Sequence, residues 1–223
     1  MNVKSTRVRR NPEAARAEIL AAAMAALQDV RFSELTVDSL MKRTGMTRSS
    51  FYHYFSGLDE IALGMLEEFA ADIRRTVDPW LTGELDEPDH RAATLTHLTS
   101  MFEVFERHAP SVAAVAQAAG GSQEVYQEWQ RGIVDYFIDL TAEFIRRQRA
   151  LGRSGAADPD RLARALILMN NAAANDNMTR HNPDGPAVIG AVLGDIWNSA
   201  IYGPGGDGTS GCPVELKGGS IRG

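Results

Sequence analysis

The chain has 223 residues and a formal net charge of −6, and its length fits a small module joined to one larger domain. Hydrophobic residues make up 44% of the chain and charged residues 23%, a balance that excludes gross disorder and favours a packed core. No apolar run reaches the roughly 18 residues of a membrane span, and none follows the basic start as in a signal peptide. We therefore expect a globular, cytoplasmic protein.

The charge is unevenly distributed along the chain. Residues 1–56 carry nine basic and five acidic residues, whereas residues 57–223 have a net charge of −10. The cations that precede the first acidic residue are Lys4, Arg7, Arg9 and Arg10. DNA binding depends on the charge of the surface that contacts the DNA, so a local basic segment matters more for it than the negative net charge of the whole chain. We expect residues 1–10 to form a flexible arm near phosphates, or else a solubilising tail.

Hydrophobic periodicity predicts an all-α fold of about nine helices, because apolar residues recur at helical spacing and strict alternation is absent. Helix 1 is expected over residues 13–29. Helix 2 follows Thr36, a predicted N-cap, and ends at Gly45. Helix 3 is the short segment after Thr47.

Helix 4 is predicted to open at Ser56, whose hydroxyl can cap it while Asp59 reaches back, and to end before Pro79. A loop over residues 78–89 should follow. The remaining helices are expected near residues 90–107, 110–119, 122–149, 158–178 and 186–202. The apolar stripe of helix 7 is predicted to be Val125, Trp129, Ile133, Tyr136, Leu140 and Phe144. Residues 203–223 are rich in glycine and are expected to be disordered.

Residues 36–55 contain two short predicted helices separated by a glycine turn, which is the helix-turn-helix arrangement. In the second helix Phe51 and Phe55 should point inward. The opposite face offers hydrogen-bonding groups from Thr47, Arg48, Ser49, Ser50, Tyr52 and His53. Arg48 can bind a guanine edge, and Ser49 can approach a base or the backbone. The alternative is an ordinary helical hairpin in a bundle, whose aromatic side chains are merely exposed.

Residues 14–69 resemble the N-terminal signature of the TetR family of transcriptional regulators. The matching runs are AEILAAAMAAL and LTVDSLMKRTGMTRSSFYHYFSGLDEIALGML. The resemblance implies a DNA-binding domain over residues 11–56 and a regulatory and dimerisation domain over residues 57–202, with residues 57–76 as the connecting part of helix 4.

The resemblance also implies which residues meet DNA. Phosphate contacts are expected from Thr36, Lys42, Thr47, Tyr54 and the Ser56 region, and base contacts from Arg48, Ser49, Tyr52 and His53. The family usually has a phosphate-binding lysine near the start of helix 4, where this chain has Leu58. Either the arginine-rich arm replaces this phosphate contact, or the nonspecific affinity of the protein for DNA is lower.

Helices 5, 7 and 8 combine large apolar side chains with Asn170, an amide that needs a partner if it is buried. A cavity with such an amide would orient the polar end of an apolar ligand; plain core packing is the alternative. The runs LILMNN and IWNSAIYG resemble the actinobacterial branch of the family that includes the ethionamide-resistance repressor. That resemblance implies a ligand pocket formed by Met101, Phe105, Trp129, Ile133, Asn170 and Trp197.

Helix 9 is apolar over much of its circumference, so more than one of its faces must be covered. TetR-like proteins pair helices 8 and 9 of two subunits, and the two recognition helices then read a palindrome. The resemblance therefore implies a homodimer that binds a double-stranded DNA operator and an apolar small-molecule effector.

Enzymatic chemistry is poorly supported by the sequence. Glu87 and His90 stand three residues apart, as in di-iron bundles, but Pro88 lies between them and no second pair exists. No phosphate-binding glycine loop, nucleophile elbow or Cys/His metal set occurs. A helical adaptor for a partner protein is a further alternative, although it leaves the polar face of helix 3 without a purpose. We predict a repressor without catalytic residues, metal or cofactor.

Overall fold

The computed structural model describes residues 11–85 and 87–203, which form nine α-helices and one short 3₁₀ turn, Phe32–Glu34. The first six helices are α1 Pro12–Ala26, α2 Val37–Thr44, α3 Arg48–Tyr54, α4 Leu58–Thr82, α5 His90–Arg107 and α6 Ala109–Ala119. The last three are α7, built from Gln123–Trp129, Gln130–Asp135 and Tyr136–Ala150, then α8 Pro159–Thr179 and α9 Pro186–Tyr202. The all-α prediction is confirmed.

The expected basic arm, and the expected glycine-rich tail beyond Gly203, lie outside the described residues. Within the described ranges, no helix is both long enough and apolar enough to cross a membrane.

The turn between α2 and α3 is fixed by the caps that the sequence predicts. Thr36 Oγ1 accepts a hydrogen bond from the Ser39 amide at 3.1 Å, and Thr47 Oγ1 accepts one from the Ser50 amide at 3.1 Å. Gly45 ends α2 with φ of 65°, a left-handed conformation that strains residues with a Cβ atom. These local interactions set the angle at which α3 leaves α2.

The start of α4 differs from the prediction, because Ser56 does not cap it. The helix begins after Gly57, which makes no side-chain cap hydrogen bond. The backbone amide of Ser56 instead donates to Glu60 Oε2 at 2.8 Å. The carboxylate that reaches back is therefore Glu60 and not Asp59, since the helix starts later than expected.

The end of α4 also differs, because the helix continues through Pro79 to Thr82. Proline removes one backbone donor from the helix interior. Trp80 and Leu81 are only 5% and 1% exposed, so the burial of these two side chains outweighs the lost hydrogen bond. Gly83 then ends the helix with φ of 82°.

The middle of α7 is a π-helical segment, Gln130–Asp135. A π turn contains more residues than an α turn, so it shifts the side chains that follow relative to a regular 3.6-residue period. After this point the predicted stripe is only partly confirmed: Phe144 is buried, whereas Tyr136 and Leu140 are only half-buried. The buried residues there are Phe137, Thr141, Ala142, Phe144, Ile145 and Gln148.

Helix α9 lies closely across α5, with two glycines at the crossing. A Cβ atom on Gly190 would lie 2.5 Å from Thr99 Oγ1, and one on Gly194 would lie 2.5 Å from Leu95 Cδ2. The opposite side of α9 remains open in the single chain, where Val188, Val192 and Ile196 are 56%, 58% and 43% exposed.

Candidate DNA-binding surface and internal cavity

The polar face of α3 is exposed, as the sequence predicts. The predicted DNA-contacting residues that are exposed are Thr36, Lys42, Thr47, Arg48, Ser49, Tyr52 and His53, while Tyr54 is half-buried. The α3 side chains Ser49, Tyr52 and His53 line one open hollow together with Thr47 and Tyr54.

The opposite face of α3 anchors the helix in the core. Phe51 and Phe55 are 0% and 2% exposed, and their rings stack at 5.6 Å. The structure therefore separates an apolar anchoring face from a polar face that can meet a ligand in solution.

Arg48 forms a link between α3 and α2 that the sequence analysis missed. Its guanidinium donates to both carboxylate oxygens of Asp38, at 3.2 and 3.1 Å, and to the hydroxyl of Tyr52 at 3.3 Å. The hydrogen bonds to Tyr52 and Asp38 raise the pKa of Arg48. Ten residues separate the two charges across a turn, so no helical spacing rule would have paired them.

A second missed residue, Arg16 of α1, ties the end of α3 to α4. Its Nη1 atom donates to the carbonyl of Tyr54 at 2.8 Å and to Glu60 Oε1 at 2.7 Å, and its guanidinium lies 4.3 Å from the centre of the Phe55 ring. Burial acts to raise the pKa of Glu60, but hydrogen bonds from Ser56 and Arg16 lower it overall. Arg16 thus links the end of α3 to the start of α4.

An internal cavity lies between α4, α5, α7, α8 and α9 and has a free volume of about 30 Å³. Five of the six predicted pocket residues line it, namely Met101, Phe105, Ile133, Asn170 and Trp197. Helix α4 contributes Ile73, Val77, Trp80 and Leu81 to the same wall.

The sixth predicted pocket residue, Trp129, does not line this cavity. It lies instead on a neighbouring open, apolar groove of about 370 Å³, where its ring stacks on Phe69 at 5.9 Å. Phe105 and Asn171 border both spaces. Trp129 precedes the π segment of α7, and Ile133 lies within it.

Asn170 is 5% exposed, and its hydrogen bonds define the orientation of its side-chain amide. Trp197 Nε1 donates to Asn170 Oδ1 at 3.1 Å, and since an indole N–H can only donate, the partner atom must be the amide oxygen. Among the residues that the structure describes, the other amide atom, Nδ2, contacts only the Met101 sulfur, at 4.0 Å, and thioether sulfur is a weak acceptor. The amide therefore has an N–H donor available to a better acceptor.

Polar residues of α4 fasten this helix to the rest of the C-terminal domain. Asp72 accepts hydrogen bonds from Arg107 and from His108 Nε2, at the corner between α5 and α6. The hydrogen bond from Arg75 lowers the pKa of Asp72 to about 2, aided by His108 and Arg107 and opposed by burial.

Two further residues join α4 to α7. Arg74 donates to the carbonyl of Gly132 within the π segment, and Asp78 accepts a hydrogen bond from the Tyr136 hydroxyl at 2.6 Å. Burial and the contact with Asp78 raise the pKa of Tyr136 to about 12, so the phenol remains a donor. Helix α4 therefore begins close to the end of α3, lines the cavity, and is held in place by hydrogen bonds to α7 and to the corner between α5 and α6.

Two family models match the chain. Residues 19–65 match "Bacterial regulatory proteins, tetR family". Residues 95–203 match "Transcriptional regulator EthR, C-terminal domain". The first range contains the α2–α3 unit, and the second contains α6–α9 with most of α5.

Individual relatives agree with these matches. The chain is 29% identical over 190 residues to the HTH-type transcriptional regulator EthR of Mycolicibacterium smegmatis, covering 84% of this chain and 86% of the relative. It is also 29% identical to EthR of Mycobacterium tuberculosis, with coverage of 83% and 86%.

Solved structures support the fold. The SmeT–triclosan complex superposes with a TM-score of 0.69 at 22% identity, covering 94% of this chain and 100% of that chain. A regulatory protein TetR from Rhodobacter sphaeroides superposes with a TM-score of 0.60 at 25% identity, with coverage of 81% and 97%. The families and named relatives are transcriptional regulators and not enzymes. The chain belongs to the TetR family of transcriptional regulators and has an EthR-like C-terminal domain.

Proposed function

We propose that this regulator is a repressor that binds a palindromic operator as a homodimer and releases it when an apolar effector enters the internal cavity. The observation that carries this proposal is the position of α4, which begins four residues after α3 ends and supplies four residues of the cavity wall.

The DNA-binding part of the proposal rests on the exposed face of α3. Arg48 donates to a guanine after exchanging its contact with Asp38, and Ser49, Tyr52 and His53 meet bases beside it. The polar side chains of Thr36, Lys42, Thr47 and Tyr54 meet phosphates. The half-buried state of Tyr54 suits a contact at the edge of the groove.

The homodimer part rests on the open side of α9. Val188, Val192 and Ile196 follow each other at intervals of four residues, so they form one exposed apolar stripe along the helix. Leu168 adds an apolar side chain on α8 that is 43% exposed. Pairing α8 and α9 with those of a second copy would cover all four side chains and form a four-helix bundle.

The effector part rests on the size and polarity of the cavity. Its volume of about 30 Å³ is far below the roughly 300–1,000 Å³ of a typical ligand site, so a ligand must displace side chains or helices. Four of the side chains that line the cavity belong to α4. A ligand that favours one tilt of α4 changes the separation of two recognition helices, and an operator requires a fixed separation.

The free N–H of Asn170 defines the chemistry of this effector. An apolar molecule with a carbonyl acceptor, such as a neutral ketone or ester, satisfies the donor, whereas a pure hydrocarbon does not. The related fold of SmeT binds triclosan, which supports a small organic molecule as the occupant.

The test is to titrate neutral ketones, and alkanes of the same length, while measuring operator affinity and protein melting together. We expect the ketones to raise the melting temperature and to weaken operator binding about 5- to 150-fold, the usual range of such coupling. Asn170→Leu should abolish the preference for ketone over alkane, while Gln127→Leu, an exposed change on α7, should retain it. The proposal fails if compounds that raise the melting temperature leave operator affinity unchanged.

A further inference from the structure

A second hollow of about 260 Å³ lies on the other side of Trp80, between the end of α4, the end of α7 and the last residue of α9. Trp80 borders both this hollow and the apolar cavity. We call this second space the outer hollow. Its principal lining residues are Trp80, Phe144, Arg147, Gln148, Arg153 and Tyr202.

The outer hollow has a cationic wall. Arg147 donates to the Leu81 carbonyl near the end of α4, while Arg153 is exposed and has no carboxylate partner among residues 11–85 and 87–203. Burial lowers the pKa of His90, and the positive charges of Arg153 and Arg91 lower it further. An acid in the same lining, Glu87, contacts His97 Nε2 at 2.7 Å.

Two polar groups in the lining are suited to donate to an anion. Gln148 is only 8% exposed; its Oε1 atom is buried without a partner, while its donor atom, Nε2, makes no hydrogen bond to another described residue and is available to a ligand. Burial raises the pKa of Tyr202, so its phenol stays protonated and can donate. The Tyr202 hydroxyl is buried without a hydrogen-bond partner among the described residues, and a buried donor is costly in a folded protein unless a ligand or water meets it.

The rim of the outer hollow is apolar. Leu85 and Leu151 are 44% and 62% exposed, and they lie neither on α3 nor on the open stripe of α9. Trp80 and Phe144 pack against each other at 5.1 Å and add an aromatic wall. A ligand with an apolar body would remove these surfaces from water.

We propose that the outer hollow binds the carboxylate of a small organic acid, with the acid group between Arg153, Gln148 and Tyr202 and the apolar body against Leu85, Leu151 and Trp80. Arginine and amide N–H groups match the acceptor oxygens of a carboxylate. The hollow accommodates a chain of several carbons, and inorganic anions would leave the leucines uncovered. This site is additional to the cavity at Asn170 and does not depend on the proposed effector there.

The experiment compares hexanoate with hexanamide by isothermal titration calorimetry on the full chain. We expect one hexanoate per chain to bind at least tenfold more tightly than hexanamide, because only the acid gains charge-assisted hydrogen bonds. Arg153→Gln should reduce this selectivity to about threefold or less. Arg164→Gln, which removes an exposed cation from α8, should leave it unchanged.

A second variant, which leaves the charge unchanged, tests whether the loss of binding comes from misfolding or from charge alone. Gln148→Met keeps the side-chain length and should weaken hexanoate binding about three- to tenfold while the melting temperature is retained or raised. Equal affinity for acid and amide, absence of hexanoate binding, or selectivity that survives Arg153→Gln would each overturn the proposal. The ketone titration is a separate measurement, so either proposal can fail while the other stands.

Discussion

Asp38 holds Arg48 through two hydrogen bonds of 3.1 and 3.2 Å, so the arginine expected to read a base is paired across the α2–α3 turn in the free protein. Both side chains are largely exposed, at 63% and 60%, and exposed pairs stabilise proteins by about 1 kcal/mol or less. A base-edge contact from arginine contributes about 1–3 kcal/mol. Arg48 should therefore exchange Asp38 for a base when the operator binds, with little loss of free energy.

The first prediction concerns this exchange. Arg48→Ala should weaken operator binding by about 1–3 kcal/mol and relax the preference at one base position. Asp38→Asn should instead strengthen binding by up to about 1 kcal/mol, because it removes both the competitor and a negative charge near phosphates. Fluorescence anisotropy with the operator and with its single-base variants measures both effects. Weaker operator binding by Asp38→Asn would contradict the idea that Asp38 competes with the DNA for Arg48.

The second prediction concerns the open stripe of α9. Ile196→Glu should shift a homodimer to monomers or aggregates, because a charge buried without a partner costs about 3–5 kcal/mol. Sedimentation velocity measures the mass, and operator titration measures the functional consequence. Gln127→Glu adds the same charge on an exposed position of α7 and should leave the mass unchanged. A stable dimer of Ile196→Glu would place the interface elsewhere.

The third prediction concerns the close approach of α9 to α5. Gly190→Ala should destabilise the protein by about 1–3 kcal/mol, the usual cost of overpacking, because its Cβ would lie 2.5 Å from Thr99 Oγ1 and 2.7 Å from Thr99 Cα. Gly155→Ala is the matched control, since no atom lies within 4 Å of its Cβ. Urea denaturation should separate the two variants, and equal midpoints would show that α9 can shift freely.

The fourth prediction concerns pH. The pKa of Asp72 is lowered to about 2, first by Arg75 and then by His108 and Arg107 against burial, so its stabilising effect is present above its unfolded pKa near 4. Asp72→Asn should therefore lower the free energy of unfolding by about 1–2 kcal/mol at pH 7. This difference should shrink as the pH falls from about 4 to about 2. Unfolding curves across that range measure it, and a constant difference would contradict the ionic origin.

Local signals in the sequence predicted the α2–α3 turn and the exposed face of α3 well. Thr36, Gly45 and Thr47 act through neighbours within a few residues, so their caps and turn could be read from the order of the side chains. The exposure of the polar face of α3 followed from the apolar spacing of Phe51 and Phe55. The roles of the exposed residues in DNA contact stay predictions.

Tertiary contacts account for most of what was missed. The continuation of α4 past Pro79 depends on where Trp80 packs, and the Arg48–Asp38 pair depends on the angle between two helices. The bond between Trp197 and Asn170 joins residues 27 positions apart, so spacing could indicate a buried amide but not its orientation. The crossing of α9 over α5 did have a local signal in Gly190 and Gly194, because glycines four residues apart permit close helix approach.

The π turn of α7 also makes this helix tolerant of a change in chain length. Because an i→i+5 turn holds one residue more than an α turn, deleting one residue from Gln130–Asp135 would leave an unbroken α-helix whose two halves keep their present faces toward the core. The deletion would also shift the Gly132 carbonyl, which now accepts from Arg74, relative to α4 and so alter that hydrogen bond. A one-residue gap inside α7 in a related sequence would thus mark a change in how α4 is anchored, and not a misplaced helix.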